Sequence, residues 1–318
     1  MTRRILVTGA SGFIGTNLLR SLRQGSDVMG YDVKPPMDPQ QWDLYRYGDI
    51  RDLKSLTRAY AEFDPDFVIN LAARTDLGGR SLADYSANTV GVENVCEVSN
   101  ERDVPTIYAS SRLVFAIDHR PAGVFDYAPS TVYGESKIVG ELVVRQRASH
   151  KWCIVRPTSI WGPWFGTPYG DFFKVVARGR FLKAAGLHPV KSFGYVGNIV
   201  AQISGMLGLE PSKWDRGVYW LKDREPLDMY GWSDEVARQL GRRPAPDVPR
   251  SVLQGLATLG DLLKATQFLE PPLTTFRLNN MLTDMVYEEK ELYQLLPGPD
   301  PISVADGVAE TVAWLRTR

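Results

Sequence analysis

The chain has 318 residues, with 37 Lys+Arg against 37 Asp+Glu and a formal net charge of +0. A surface that coats nucleic acid or an anionic membrane carries a basic excess, because each phosphate contact needs a Lys or Arg. The balance excludes that role for the surface as a whole, a local patch apart. With 44% hydrophobic and 23% charged residues, disordered and fibrous classes are also excluded, and the length suits about two domains.

Short β-branched runs alternate with longer amphipathic ones along the first half. Residues 4–7 predict a strand, 12–23 a helix and 27–31 a second strand. After the loop at Lys34, Pro35 and Pro36, residues 51–62 predict a helix and 67–71 a strand. A long helix over 82–100, a strand at 106–109, a helix over 131–149 and a strand at 152–155 follow. Such alternation implies βαβ units, hence an α/β fold with a doubly wound parallel sheet and helices on both faces.

Beyond Pro157 the pattern changes. Trp161, Gly162, Pro163, Trp164, Phe165 and Gly166 crowd aromatics and turn formers together. That segment either lines an apolar pocket or packs as core. The chain therefore divides into a nucleotide-binding domain over 1–160 and a smaller α/β region over 161–318, which returns a strand at 218–221 to the sheet.

Cys96 and Cys153 form no CxxC pair and sit in apolar-periodic segments, as structural thiols in a reducing cytoplasm do. No metal site is expected. The opening MTRRILVTGA has no signal-peptide pattern, and no run reaches the roughly 18 apolar residues of a spanning helix. The expectation is a cytoplasmic chain whose partners include neither nucleic acid nor membrane. Val252, Leu253, Leu256, Leu259, Leu262 and Leu263 form one helical face, expected to lie in the core rather than at a membrane or partner surface.

Thr8-Gly9-Ala10-Ser11-Gly12-Phe13-Ile14-Gly15 follows the first strand and opens the first helix, with GxxGxxG spacing. The first glycine allows a turn with positive φ, the second lets a pyrophosphate approach the backbone, and the third lets helix and strand pack closely. The amides of the helix N-terminus then face the phosphates. Asp32, at the end of the second strand, can accept hydrogen bonds from an adenosine ribose and would repel a 2′-phosphate. NAD is thus favoured over NADP, with Lys34 pulling slightly the other way.

Tyr133-Gly134-Glu135-Ser136-Lys137 places a phenol and an ammonium on one helix face. A fixed cation nearby lowers a tyrosine pKa by stabilising the phenolate, and so fits it for proton transfer. Upstream, a strand ends in Tyr108-Ala109-Ser110-Ser111, at the sheet edge where ligands of such folds bind. Glycine loop, tyrosine–lysine pair and serine together read as a hydride-transfer site.

With these motifs the sequence resembles the extended short-chain dehydrogenase/reductase family, in its branch of NAD-dependent sugar-nucleotide epimerases and dehydratases, over nearly its whole length. VTGASGFIG resembles the family's cofactor loop, and Gly48-Asp49-Ile50-Arg51-Asp52 the acidic-apolar pair that holds adenine. Asn70-Leu71-Ala72-Ala73 resembles HLAA, and Asn88 opens a stretch like the helix whose asparagine supports the active site. Ser110-Ser111-Arg112-Leu113-Val114-Phe115 resembles SSxxVYG, and residues 156–163 resemble RPxxxYGP beside nicotinamide and sugar.

The resemblance implies a Rossmann fold with NAD as cofactor and Ser111, Tyr133 and Lys137 as catalytic residues. It implies cofactor contacts from Gly9, Ser11, Gly12, Phe13, Ile14, Gly15, Asp32, Asp49, Ile50, Leu71, Ala72, Ala73, Asn88, Tyr133, Lys137 and Pro157. Arg74, Ser111, Arg112, Thr158, Ser159 and Lys191 are implied on the substrate side, within a substrate-binding region over 161–318. It also implies a homodimer through the helices at about 82–100 and 131–149. The chain departs from the pattern at Asn70 for histidine, Phe115 for tyrosine, Lys191 for the diphosphate-gripping arginine and Asn198 for an acid.

The dehydratase branch follows its serine equivalent with carboxylates, whereas Arg112 and Leu113 stand there. Elimination without a placed acid and base forfeits about 10²–10⁴-fold for each, so dehydration is disfavoured. No cysteine lies near that strand for a reductase that epimerises first, and His119 reads as a solvated loop residue. The expected activity is NAD-dependent C4 epimerisation of a nucleotide-diphosphate sugar through a 4-keto intermediate, with Tyr133 as acid-base. Alternatives are a dehydrogenase or reductase of a nucleotide sugar, or of an apolar steroid-like or flavonoid-like substrate, and, lower, a non-catalytic dinucleotide sensor.

Overall fold

The computed structural model describes all residues except Met1, Asp118, Arg120, 167–168, 266–270 and Pro272. The described chain falls into two compact units. One comprises Met1–Ile160, Val196–Lys222 and Glu289–Pro299, the other Trp161–Tyr195, Asp223–Glu288 and Asp300–Arg318.

The first unit is built on strands β1 (Arg4–Thr8), β2 (Asp27–Asp32), β3 (Tyr45–Tyr47), β4 (Phe67–Asn70), β5 (Thr106–Ala109) and β6 (Trp152–Pro157), with the strand Val218–Leu221. Their order is Val218–Leu221, β6, β5, β4, β1, β2, β3, and every pairing is parallel. The chain runs outward from β1 to β3 and restarts at β4 on the other side of β1. Ligands of open α/β sheets bind beyond the C-terminal strand ends where the winding reverses in this way. Interior strands are apolar on both faces; β1 reads Ile5, Leu6, Val7, all at 1% exposure or less.

Helices α1 (Phe13–Leu22), α2 (Leu53–Phe63), α3 (Val90–Arg102) and α4 (Val132–Arg147) accompany these strands. The helix predicted over 82–100 is broken into a short 3₁₀ turn at Leu82–Tyr85 and α3. The cause is Asn88. Buried, it both donates to the Arg74 carbonyl and accepts from the Arg74 amide, which holds residues 86–89 in turns. Strand β3 is unpredicted, because three residues carry no periodicity.

In the second unit the aromatic segment is core. Trp161, Phe173 and Trp232 are almost fully buried, and Phe172 stacks on Trp232 with ring centroids 4.3 Å apart. The helix Arg250–Ala265 overturns the core expectation for its apolar face. Leu253 is buried, but Val252, Leu256, Leu259, Leu262 and Leu263 are all exposed. Sequence periodicity shows that a face is apolar, not that something covers it. Among the described residues no helix is long and apolar enough to cross a membrane. Both cysteines are buried and free.

Candidate active site

Gly9 follows β1 with φ +70°, and a Cβ there would lie 2.5 Å from the Ala72 amide nitrogen, so the turn after β1 abuts the chain leaving β4. At Gly15 a Cβ would collide with the Gly9 carbonyl. Gly12 caps α1 without a side-chain hydrogen bond, and the first turn carries no acid. The N-terminal amides of α1 thus stand at the sheet edge without a competing side chain.

The Asp32 carboxylate accepts the Ser11 amide at 2.9 Å on one oxygen and the Lys34 amide at 2.9 Å on the other. Each oxygen keeps lone-pair capacity. Ser11 Oγ donates to the Lys34 carbonyl, which fastens the glycine turn to the end of β2. Asp49 is gripped by Arg51, which holds its carboxyl below the usual range. Ile50 is buried against Gly91, and Asn94 donates to its carbonyl. Leu71, Ala72 and Ala73 line the exit of β4, with the Leu71 amide on the Thr8 carbonyl. Asn70, in the place of the family's histidine, accepts from Thr8 Oγ1 at 2.6 Å.

Three glycine or cap positions assemble the remaining residues. Thr131 Oγ1 accepts the Gly134 amide and starts α4. Gly134 lacks the Cβ that would strike the Leu113 carbonyl, so the turn Arg112–Val114 packs directly on α4. That contact brings the Ser111 side chain near the Tyr133 phenol. Gly140 likewise admits the Asn88 carbonyl, and Asn88 Nδ2 donates to Ser136 Oγ at 2.9 Å. Tyr133 is buried with its ring 6.0 Å from that of Tyr85.

Burial pushes the Tyr133 phenol up to about 12, against the opposing effect of the nearby Ser111 side chain. Lys137, also buried, donates its ammonium to the Ala109 carbonyl at 2.9 Å. Desolvation pushes it down to about 8, while the Glu141 carboxylate acts the other way.

Of the substrate-side residues, all but Lys191 belong to the first unit. Arg112 stands beside Ser111 with Nη1 buried and without a hydrogen-bond partner among the described residues. Pro157 ends β6, Thr158 bonds the Leu221 carbonyl through amide and hydroxyl, and Ser159 is buried. Arg74 is engaged by Asp76 at 2.7 Å. Lys191 corrects the expectation of a diphosphate grip. It is buried in the second unit, and its ammonium donates to the Asn280 and Thr283 carbonyls. A cation solvated by backbone oxygens in this way is a structural tie.

One cluster is missing from the sequence reading. Arg156 and Glu141 form a fully buried bidentate pair at 2.8 and 2.6 Å, Tyr127 donates to Glu141 at 2.7 Å, and Arg156 also donates to the Val124 carbonyl. The available signal was spacing. Glu141 lies one helical turn beyond Lys137, on the same face.

A doubly wound sheet whose glycine turn meets an acid-tipped second strand, with serine, tyrosine and lysine gathered at the end of β5, defines a class of nucleotide-binding α/β enzyme. The chain belongs to the NAD dependent epimerase/dehydratase family, which residues 5–207 match. It is 30% identical to an N-acetyl-alpha-D-glucosaminyl-diphospho-ditrans,octacis-undecaprenol 4-epimerase of Escherichia coli O157:H7, over 78% of this chain and 76% of that protein. A 3 beta-hydroxysteroid dehydrogenase/Delta 5→4-isomerase of Mycobacterium tuberculosis is also 30% identical, over 76% and 70%. Among solved structures, WbmG of Bordetella bronchiseptica in complex with NAD and UDP superposes with a TM-score of 0.73 at 20% identity, covering 100% of this chain and 96% of that one. A UDP-glucose 4-epimerase of Thermotoga maritima with UDP-glucose gives 0.73 at 18% identity, with 99% of each chain covered. At those identities the structures speak for the fold.

Proposed function

We propose that the protein epimerises a nucleotide-diphosphate sugar at C4 through a transient 4-keto sugar, with NAD held beyond β1, β2 and β4. The observation that carries this reading is the nearness of the Ser111 side chain to Tyr133, on a helix face whose Lys137 ammonium is tied to the end of β5. The residues present fit a dinucleotide. A Cβ at Gly9 or Gly15 would fill the cradle, the α1 amides lack a side-chain cap, and Asp32 retains lone pairs for ribose hydroxyls. In this reading Gly9, Ser11, Gly12, Phe13, Ile14 and Gly15 take the pyrophosphate, Asp49 and Ile50 flank adenine, and Leu71–Ala73, Asn88 and Pro157 border the cofactor.

When bound, NAD supplies a hydride acceptor and then a hydride donor. Tyr133 takes the proton of the C4 hydroxyl and later returns it, while Ser111 donates to the same oxygen. The phenol is a poor base while its pKa sits near 12, so ligand binding must acidify it. Lys137 is the cation that this helix face offers. Arg112, with its unpartnered buried nitrogen, is the donor available to an anionic substrate in place of Lys191, and this favours a diphosphate over a steroid-like ligand. Thr158 and Ser159 border the same strand ends. The absence of carboxylates at 112 and 113 disfavours dehydration.

The test is a panel of sugar diphosphates incubated with NAD, with products separated and NADH followed by absorbance. The Escherichia coli relative carries its sugar on diphospho-undecaprenol, so the panel varies the carrier as well as the sugar. Isomer without net NADH supports the reading. Stoichiometric NADH replaces it with a dehydrogenase, and turnover of apolar alcohols alone replaces it with the steroid-like alternative. A homodimer through α3 and α4 belongs to the same proposal; light scattering on the purified protein tests it.

A further inference from the structure

A buried ammonium calls for an opposite charge, yet Lys137 hydrogen-bonds to a neutral group, the Ala109 carbonyl. Glu141 follows Lys137 by four residues, on the same face of α4, and is buried as well. Both residues line one cavity of about 10 Å³, the size of a single water, between α4 and the end of β5. They are the charged residues of its wall; Tyr108 of β5 is the other titratable one, and α3 adds the uncharged Val92. Arg156 bonds both oxygens of Glu141 but does not line the cavity, so the carboxylate is the end of the pair on the lysine's side. Tyr127 donates to the same carboxylate, and the rings of Phe115, Tyr127 and Trp220 stand 5.2, 5.7 and 5.8 Å from the guanidinium, which fixes the pair in place. Other charges near α4 are engaged elsewhere or lie beside Ser111: Glu93 of α3 pairs with Arg147, Asp84 is exposed and accepts the Arg80 and Ser81 amides, and Arg112 follows Ser111.

We propose that Glu141 is a positioning residue of the reaction: as the buried counter-charge of Lys137 it keeps that side chain an ammonium, and so keeps a cation on the Tyr133 face for proton transfer. This role rests on the part proposed for Lys137 above. Burial pushes the lysine down to about 8 and the Glu141 carboxylate opposes this. The side chain is then mostly charged at neutral pH, whereas a further depression of about one pH unit would leave it about half neutral. Once one proton has left the Tyr133–Lys137 pair, two forms compete, phenolate with ammonium and phenol with amine. Both hold the same number of protons, and only the first provides the base. Along α4, Glu141 stands about 6 Å from Lys137 and about 12 Å from Tyr133, so its charge favours the form with the ammonium.

The test starts without substrate. The full chain is labelled with carbon-13 lysine and titrated by NMR, the Lys137 signal being the one lost in Lys137→Met. Glu141→Gln leaves Arg156 uncompensated, so Glu141→Leu/Arg156→Leu, which removes both charges, is measured beside it, with circular dichroism to check the fold. The Lys137 midpoint should fall by about one pH unit or more in both variants. For the substrate that the parent turns over, the plateau of kcat should drop about tenfold and its acid limb should move to lower pH, with NAD affinity little changed. A merely structural pair would lower the amount of active protein without moving either midpoint. The proposal is overturned if the Lys137 midpoint stays at the parent value in the folded double variant, or if it falls while the kcat profile is unmoved. A falling midpoint and a shifted kcat profile with apolar alcohols in place of sugar diphosphates would overturn the epimerase reading and uphold the role of Glu141, since both chemistries use Tyr133 and Lys137.

Discussion

Lys137 Nζ donates to the Ala109 carbonyl at 2.9 Å, tying α4 to the end of β5 two residues before Ser111. This bond occupies the buried ammonium that shares a helix face with Tyr133. It makes Lys137 a positional brace before it can be anything else.

The brace has a pH signature. A lysine depressed from 10.5 to about 8 binds fewer protons in the folded than in the unfolded chain between those values. Its destabilising effect is therefore complete below about pH 8 and disappears as pH rises toward 10.5. Lys137→Met should stabilise the cofactor-free protein near neutral pH by up to ~3 kcal/mol, less about 1 kcal/mol for the lost Ala109 hydrogen bond. The gain should vanish near pH 10.5. Urea unfolding at the two pH values measures it, and a pH-independent difference would refute the assignment.

Tyr133→Phe removes the proton shuttle and leaves the ring packing. Turnover should fall by about 10²–10⁴-fold while NAD affinity changes little. Steady-state kinetics alongside cofactor titration separate the two. A parallel loss of cofactor binding would instead make the phenol a binding group.

The turn after β1 tolerates only glycine at its first position. Gly9→Ala combines a positive φ with a methyl group 2.5 Å from the Ala72 nitrogen. The left-handed conformation alone costs about 1–2 kcal/mol. Thermal unfolding should move down by several degrees, and dinucleotide binding should weaken more than tenfold. Unchanged calorimetric titration would remove this turn from the cofactor site.

Arg156 and Glu141 form a pair whose side chains are 2% and 1% exposed. Removing one charge leaves the other buried and uncompensated. Glu141→Gln should therefore destabilise by about 3–5 kcal/mol, and Glu141→Leu/Arg156→Leu by much less. Denaturant unfolding of both variants decides it; equal losses would argue against a charge-pair origin. Because Glu141 also raises the Lys137 pKa, Glu141→Gln should move the pH dependence of Lys137 to lower pH.

Much of the first unit was legible in the sequence, because its signals are local. Strand alternation, the glycine spacing after β1, Asp32 at the tip of β2 and the Tyr133–Lys137 spacing each depend on a few adjacent residues. The structure brings Ser111 to Tyr133 by a contact that Gly134 encodes one position beyond the tyrosine. Lys191 and Arg112 were less legible. Both were implied on the substrate side, Lys191 as the diphosphate grip, but the Asn280 and Thr283 carbonyls that claim Lys191 lie about ninety residues away in sequence.

By itself, then, the sequence determined the parallel sheet, its glycine-cradled helix and the residue types offered to a cofactor, since period and spacing are properties of neighbouring residues. Only the tertiary structure decided which charges are already spent, where helix 82–100 must break to let Asn88 clasp Arg74, and that the apolar face at 252–263 faces outward. Burial, desolvation and partner choice depend on atoms far apart along the chain. A period of 3.6 residues marks an apolar face, but packing determines whether anything covers it.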